Sequence, residues 1–484
     1  MYDMRFYALP ALSGVLLALV FYPFYFWWLA FVALVPLFYF VLDPARTRRE
    51  LLLGGAQVGI LGIGPLVYFS LVHVVLFPHS LLFTVAVQLS SIPTLAAIAA
   101  LFGAVVYLLH SASLRMYAVW PIVAAGLYCV VESILMGVFG GYYFGSLAHA
   151  VVALPVARLI VSVGGTLLVS CFVMLVNALI TEGVRAAYYK QTTTALWVGF
   201  AALVSVLSVA LLMSSRESSS MATQPLAVAL IQPAPVSVQE LPYGNEVEGI
   251  FIAPELERII TEAASSTDLV IYPFSPVEGV VYRGEPPIIA GIQDVARDEA
   301  VGAWFARTVP TSTTVMIWNT LAEGGSLYDE YAFWRAEEKA VYQKQKLYLF
   351  SDYVPEWMRG AGIARGTYDI AAGERGDTLV VQGVGVSGLI CSELHSRTLT
   401  PAERKNTELL IAVGDDSFFL GSLVANFSLA AAQYYAARYQ KPVIRATVYG
   451  PSALIDAEGN LLASLEYGEQ GVLRGEFKFP GTTE

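Results

Sequence analysis

The sequence predicts a multi-span α-helical membrane domain followed by a layered α/β domain. Three observations predict it. Hydrophobic residues make up 56% of the chain, charged residues only 14%, and the mean hydropathy is +0.60, more apolar than a water-soluble fold. Apolar stretches of membrane-crossing length recur as far as residue 213. From Leu226 the pattern changes to short apolar runs broken by Pro and Gly, the mark of strands and amphipathic helices. A chain of 484 residues also favours more than one domain.

The spans are expected near residues 6–21, 24–42, 51–77, 80–109, 117–139, 157–181 and 193–213. Most suffice for a hydrocarbon core of about 30 Å. The first is not a cleavable signal, because the next apolar run follows at once with no small-residue cleavage site. Arg46, Arg48 and Arg49 fall between spans two and three, Arg115 between four and five, and Arg185 and Lys190 between six and seven. The alternate loops, around Tyr22-Pro23 and Pro78-His79, carry no Lys or Arg. The positive-inside bias therefore places the N-terminus in the cytoplasm and everything after about residue 214 on the other side. Glu132 sits mid-span; a carboxylate there marks a polar pathway, a site, or an internally hydrogen-bonded structural group. Residues 140–156, rich in glycine and aromatics, suit an interfacial or re-entrant segment.

Residues 214–225 read as a Ser-rich linker, leaving 226–484 as the second domain. Strands are expected at 226–231 and 268–272, with an amphipathic helix at 249–264 between them: Ile252, Leu256, Ile259, Ile260 and Ala263 keep helical spacing. Further strands are expected near 302–308 and 313–321, an extended pair over 331–348, and strands at 378–381, 384–390 and 408–412. A helix at about 420–438 and strands at 443–448 and 452–456 close the core, with a turn at 457–460 and a polar tail from Phe477.

A net charge of −11 and a pI near 5.1 argue against nucleic-acid binding. Three cysteines, with no CxxC spacing and five scattered histidines, predict neither a disulfide framework nor a metal site, and no cofactor is expected. Cys391 is the exception among the thiols. The run Val384–Ile390 delivers it to the start of the next element, where a helix N-terminus would lower its pKa and favour the thiolate. The bland alternative is a small buried core thiol. Lys344, in a strand-like run, is a candidate cation for an oxyanion, against the plainer reading of a solvated edge lysine, and Glu393 lies two residues beyond the cysteine.

Several motifs stand in a specific order: Trp318-Asn319-Thr320, Tyr342-Gln343-Lys344, Asp352-Tyr353-Val354-Pro355, Cys391-Ser392-Glu393, Asp415-Asp416-Ser417-Phe418-Phe419 and Arg445-Ala446-Thr447. With Tyr22-Pro23-Phe24, Glu132 and the run from Gly164 to Leu179 before them, the chain resembles the apolipoprotein N-acyltransferases, bacterial membrane enzymes with a nitrilase-like outer domain. The resemblance implies an αββα sandwich. It implies Cys391 as nucleophile, Lys344 as oxyanion-stabilising cation, and Glu393 and Asp352 as supporting carboxylates. It further implies transfer of an acyl chain from a phospholipid, through a thioester, to the N-terminal amine of a diacylglyceryl-cysteine lipoprotein. The setting would be the bacterial inner membrane, with a monomeric enzyme.

Three positions depart from the family pattern. Phe274 follows Tyr272-Pro273 where the general-base glutamate is usual, and leaves Glu278 as the next candidate base. Val448 stands where an asparagine is usual, and no further apolar span follows Phe477. These departures keep two other readings open: a catalytically impaired paralogue that binds lipid or lipoprotein, and a membrane-tethered amidase.

Overall fold

The computed structural model describes residues 7–21, 26–66, 81–116, 119–138, 145–189, 223–233, 245–247, 250–252, 254–274, 280–283, 295–336, 338–348, 352–353, 356, 369–374, 379–416 and 423–480. The chain forms two compact units, Met1–Ser218 with Ser422–Phe427, and Ser219–Gly421 with Ser428–Glu484.

The first unit is helical. Its described elements are α1 (Ala8–Val20), a 3-10 turn (Trp27–Phe31), α2 (Val35–Val41), α3 (Arg48–Val58) running into a π-helical turn (Gly59–Ile63), α4 (Leu81–Arg115), α5 (Trp120–Val138), α6 (Leu147–Ala150) and α7 (Pro155–Tyr188). Among the described residues, Ile92–Arg115, Trp120–Gly137 and Pro155–Tyr188 are long and apolar enough to cross a membrane. Within the span expected at 24–42, Trp27–Val41 is a shorter apolar helical stretch, a 3-10 turn followed by a seven-residue helix. The span expected at 193–213 lies outside the described residues. α7 breaks at Gly165, whose φ of 75° is costly for residues with a Cβ. Polar side chains tie the helices together. Asn177 accepts from the Leu34 amide at 2.9 Å and donates to the Ala30 carbonyl at 2.7 Å, satisfying groups that a broken helix would orphan. Glu132 is fully buried and accepts from Ser146 at 2.6 Å and Ser170 at 3.0 Å, so this mid-span carboxylate is internally hydrogen-bonded.

The second unit is a sandwich of two sheets covered by helices. Its strands are β1 (Thr223–Gln232), β2 (Asn245–Val247), β3 (Ile250–Ile252), β4 (Leu269–Tyr272), β5 (Val280–Tyr282), β6 (Val295–Arg297), β7 (Thr314–Glu323), β8 (Ser326–Arg335), β9 (Glu338–Gln343), β10 (Leu379–Val381), β11 (Val384–Ile390), β12 (Leu409–Gly414), β13 (Val443–Thr447), β14 (Ser452–Ile455), β15 (Leu461–Leu465) and β16 (Gly471–Pro480). The helices are α8 (Pro254–Ala264), α9 (Asp298–Thr308), α10 (Glu393–Ser396), α11 (Pro401–Asn406) and α12 (Leu423–Tyr439). One sheet runs β16-β1-β4-β7-β5-β6, with β8 and β9 extending from β7 as an antiparallel meander. The other runs β10-β11-β12-β13-β14-β15, parallel at β11-β12-β13.

Period-two alternation explains the layers. Leu226, Val228 and Leu230 of β1 meet Val386, Ile411 and Ile444 of the second sheet in the central core. The alternate residues Ala229 and Ile231 pack outward against Ile260 of α8 and Val301, Trp304 and Phe305 of α9. On the far side, Leu410, Ala412 and Val443 pack against Ala432, Tyr435 and Ala436 of α12. The result is the αββα arrangement. Fully burying each such Leu or Ile contributes about 1.5–3 kcal/mol.

Three expectations are corrected. Residues 302–308 are helical, because Val301, Trp304 and Phe305 keep helical spacing and bury one face against the sheet. The core does not end at 452–456: β15 and β16 follow, and β16 pairs along the whole of β1, burying Phe477 and Phe479 in the central core. The polar tail therefore starts as a strand. β1 itself begins at Thr223, inside the stretch expected as linker.

Candidate functional site

The site grows out of the end of β11. All seven residues of that strand are buried, and Gly388 is required where it lies: a Cβ there would come within 2.4 Å of the Tyr331 ring. Tyr331, on β8, donates its hydroxyl to the Leu389 carbonyl and accepts from the Val413 amide at 2.9 Å, riveting the two sheets beneath the strand end. Cys391 follows immediately. Its amide donates to the Val413 carbonyl at 2.6 Å and its φ is 49°. A non-glycine residue in that region is strained, and such strain concentrates at functional positions.

Lys344 follows β9 and is only 1% exposed. Its ammonium bridges both carboxylate oxygens of Asp352, each at 2.7 Å. Asp352 is held in turn by the Tyr348 amide at 2.6 Å. Burial opposes charge on Lys344, yet the negative neighbours Asp352 and Asp329 raise its pKa, so it stays cationic.

Glu393 does not act as a loose carboxylate. It accepts from the Tyr342 hydroxyl at 2.8 Å, the Gln345 and Lys346 amides at 2.9 and 3.1 Å, and the Ile390 amide at 2.9 Å. Those bonds brace the strand end that carries Cys391 to the loop that carries Lys344. On the other side Asp416 pairs with Arg445. Burial raises Asp416 to about 6, against the opposing charge of Arg445.

The thiol is corrected in sign. The helix after Cys391, α10, spans only four residues and its N-cap is Ser392. Burial pushes the thiol up to about 11; Lys344 pulls it down, and Asp352, Asp416 and Asp329 push it further up. Cys391 is therefore a thiol at neutral pH, and reaction requires that a proton leave it.

The structure thus brings Cys391, Lys344, Asp352 and Glu393 into one region. Glu278 lies outside the described residues. Phe274 is 44% exposed and meets Trp318 edge-on, with ring centroids 6.4 Å apart. The sequence reading missed Asp329, whose carboxylate also faces this region. The signal was present: in Leu327-Tyr328-Asp329-Glu330-Tyr331, two adjacent carboxylates on one strand must point to opposite faces. Among the described residues, no group of three or more His, Cys, Asp or Glu is arranged to hold a metal.

Residues 228–484, more than half of the chain, match the carbon–nitrogen hydrolase family, and residues 13–179 match the apolipoprotein N-acyltransferase N-terminal domain. A Pseudomonas aeruginosa protein named apolipoprotein N-acyltransferase is 28% identical over 328 residues, which is 66% of this chain and 61% of that protein. The chain thus matches less than two thirds of that relative's length. A Pasteurella multocida protein of the same name is 24% identical over 486 residues, 94% of this chain and 86% of that one. A solved CN-hydrolase superfamily structure from Xanthomonas campestris aligns with 52% of this chain and 90% of its own, at 14% identity and a TM-score of 0.35.

Proposed function

From the premise that this chain belongs to the carbon–nitrogen hydrolase family, we propose that it is a lipoprotein N-acyltransferase working through Cys391. The observation that carries this reading is Cys391, held in a strained backbone conformation with the buried ammonium of Lys344 acting on its thiol, in a chain whose apolar N-terminal part matches an acyltransferase domain. Cys391 attacks the ester carbonyl of a phospholipid acyl chain. Lys344 faces the developing negative charge, and Asp352 fixes where that ammonium sits. Collapse of the tetrahedral intermediate releases a lysophospholipid and leaves a thioester on Cys391. The N-terminal amine of a diacylglyceryl-cysteine lipoprotein then attacks the thioester, an activated acyl carrier, and takes the chain as an amide. Glu393 braces the strand end and moves no proton in this scheme.

The same reading sets the topology. The N-terminus lies in the cytoplasm of a bacterial cell, the helical unit spans the inner membrane, and the second unit lies outside it, where lipoproteins mature. The protein acts as a monomer. Neither a metal nor a cofactor enters the chemistry.

The test is direct. The full chain in detergent is incubated with phospholipid and its intact mass measured. An increment of one acyl group is expected on the wild type and none on Cys391→Ala. A wild type that gains no acyl group would end the proposal. An adduct that persists in Cys391→Ala would move the nucleophile elsewhere.

A further inference from the structure

The proposed reaction needs a group to take the Cys391 proton, and the position where the family resemblance expects that carboxylate holds Phe274. Among the described residues, four buried carboxylates lie in the region of the thiol, and three are committed. Asp352 is chelated by Lys344 and by the Tyr348 amide. Glu393 is saturated by four donors from Tyr342, Gln345, Lys346 and Ile390. Asp416 is paired with Arg445. The fourth, Asp329, is 8% exposed, and among the described residues its carboxylate takes one long hydrogen bond, 3.4 Å from Thr320.

Strand geometry places Asp329 on the face of β8 turned towards the strand end that bears Cys391, with no hydrogen bond to the sulfur in this resting geometry. The Lys344 amide donates to the Asp329 carbonyl at 2.9 Å, so the two residues are cross-strand neighbours. Tyr331 lies two residues along and therefore on the same face, and its ring covers Gly388 while its hydroxyl reaches Leu389. That face of β8 is the one turned towards the strand end bearing Cys391. The negative charge of Asp329 raises the pKa of both Cys391 and Lys344.

We propose that Asp329 is the proton acceptor for Cys391, supplying the carboxylate that position 274 lacks. The inference rests on the acyltransferase reading. The Cys391 Sγ–H bond breaks and the proton moves to Asp329 as the S–C bond forms. The protonated Asp329 returns the proton to the departing lysophospholipid oxygen when the ester C–O bond breaks. In the second half-reaction it takes a proton from the attacking amine, and transfers it to Cys391 when the thioester S–C bond breaks. Atoms and charge balance, with no further reactant. Burial raises Asp329 to about 6, with Lys344 opposing and Asp352 and Glu393 reinforcing, so at neutral pH it is ionised yet basic enough to hold a proton in passing.

The test follows Cys391 acylation from phospholipid micelles by intact mass, between pH 5 and 9, in the full-length wild type, Asp329→Asn and Asp329→Glu. Alkylation of Cys391 by iodoacetamide runs in parallel. Asp329→Asn is expected to acylate about 10²–10⁴-fold more slowly and to lose the acid limb centred near pH 6. Its alkylation is expected to be unchanged or faster, since a charge that raises the thiol pKa is gone. Asp329→Glu keeps a carboxylate and is expected to retain the acid limb. Wild-type rate and pH profile in Asp329→Asn overturn the inference while leaving the acyltransferase reading intact. If Asp329→Asn loses alkylation as well, Asp329→Glu decides: a retained limb supports the inference and a lost one overturns it. No acyl adduct on the wild type overturns the acyltransferase reading and this inference together.

Discussion

Asp329 and Glu330 are adjacent on one strand, both are buried, and they live in opposite electrostatic worlds. Glu330 is wholly inaccessible and fully answered. Arg283 reaches it at 2.8 Å and Lys339 at 3.0 Å, Gln343 donates at 3.3 Å, and both cations also grip Asp298, at 2.8 and 2.6 Å. Asp329, on the other face, shares Lys344 with Asp352 and Cys391 and accepts one long hydrogen bond. A buried charge left half-answered costs stability, so a fold keeps one only where it does something else. The comparison teaches how to separate a structural ion cluster from a chemical one: count the donors each carboxylate has left unmet.

On the chemical side, the first effect to test is that of the Lys344 ammonium. Lys344→Met is expected to slow Cys391 acylation by about 10²–10³-fold, the usual loss when one oxyanion donor is removed. The same change should raise the pH at which iodoacetamide alkylates Cys391, because the ammonium pulls the thiol below the value that burial alone would set. An unchanged alkylation profile would mean that Lys344 and Cys391 do not sense each other, and the chemical cluster would dissolve into separate structural groups.

The next effect probes the structural side. Glu330→Ala strips Arg283 and Lys339 of their shared partner and is expected to cost about 3–5 kcal/mol in a denaturant titration of the full chain. Acylation per folded molecule should stay at the wild-type rate. The comparison breaks if Glu330→Ala folds well and loses activity.

How much of this was legible in the sequence follows the same division. Alternation over Val384–Ile390 announced a buried strand ending at Cys391, and the apolar spans announced a membrane unit, because both depend on local periodicity. β16 was legible in principle: Leu473, Phe477 and Phe479 alternate with Arg474, Glu476 and Lys478, but the charges disguise a half-buried strand as a tail. The helix at Asp298–Thr308 was misread because its aromatic and β-branched residues favour strands locally, and packing against the sheet overrode them. The role of Glu393 and the freedom of Asp329 could not be read at all. Both depend on which donors arrive from residues tens of positions away, such as Tyr342 onto Glu393. The pKa direction of Cys391 failed for the same reason: a local helix dipole was weighed against a burial that only the tertiary structure supplies.

The smallest effect is the sharpest test, because its sign opposes the one at Glu330. Burial lifts Asp329 from its ordinary 3.8 to about 6. The folded state therefore favours the protonated acid. That contribution is complete below about pH 4 and is lost as pH rises through 6, so at neutral pH the ionised group costs up to about 3 kcal/mol. Asparagine has nearly the same shape and never ionises. Asp329→Asn should match the wild type near pH 4 and exceed it in unfolding free energy by about 1–3 kcal/mol at pH 7, while acylation falls. Asp416, also raised to about 6, titrates in both proteins and cancels in the difference. A variant less stable than the wild type at pH 7 would place Asp329 with Glu330 as a group that holds the fold together. One that gains stability as it loses acylation has given up a charge kept for chemistry.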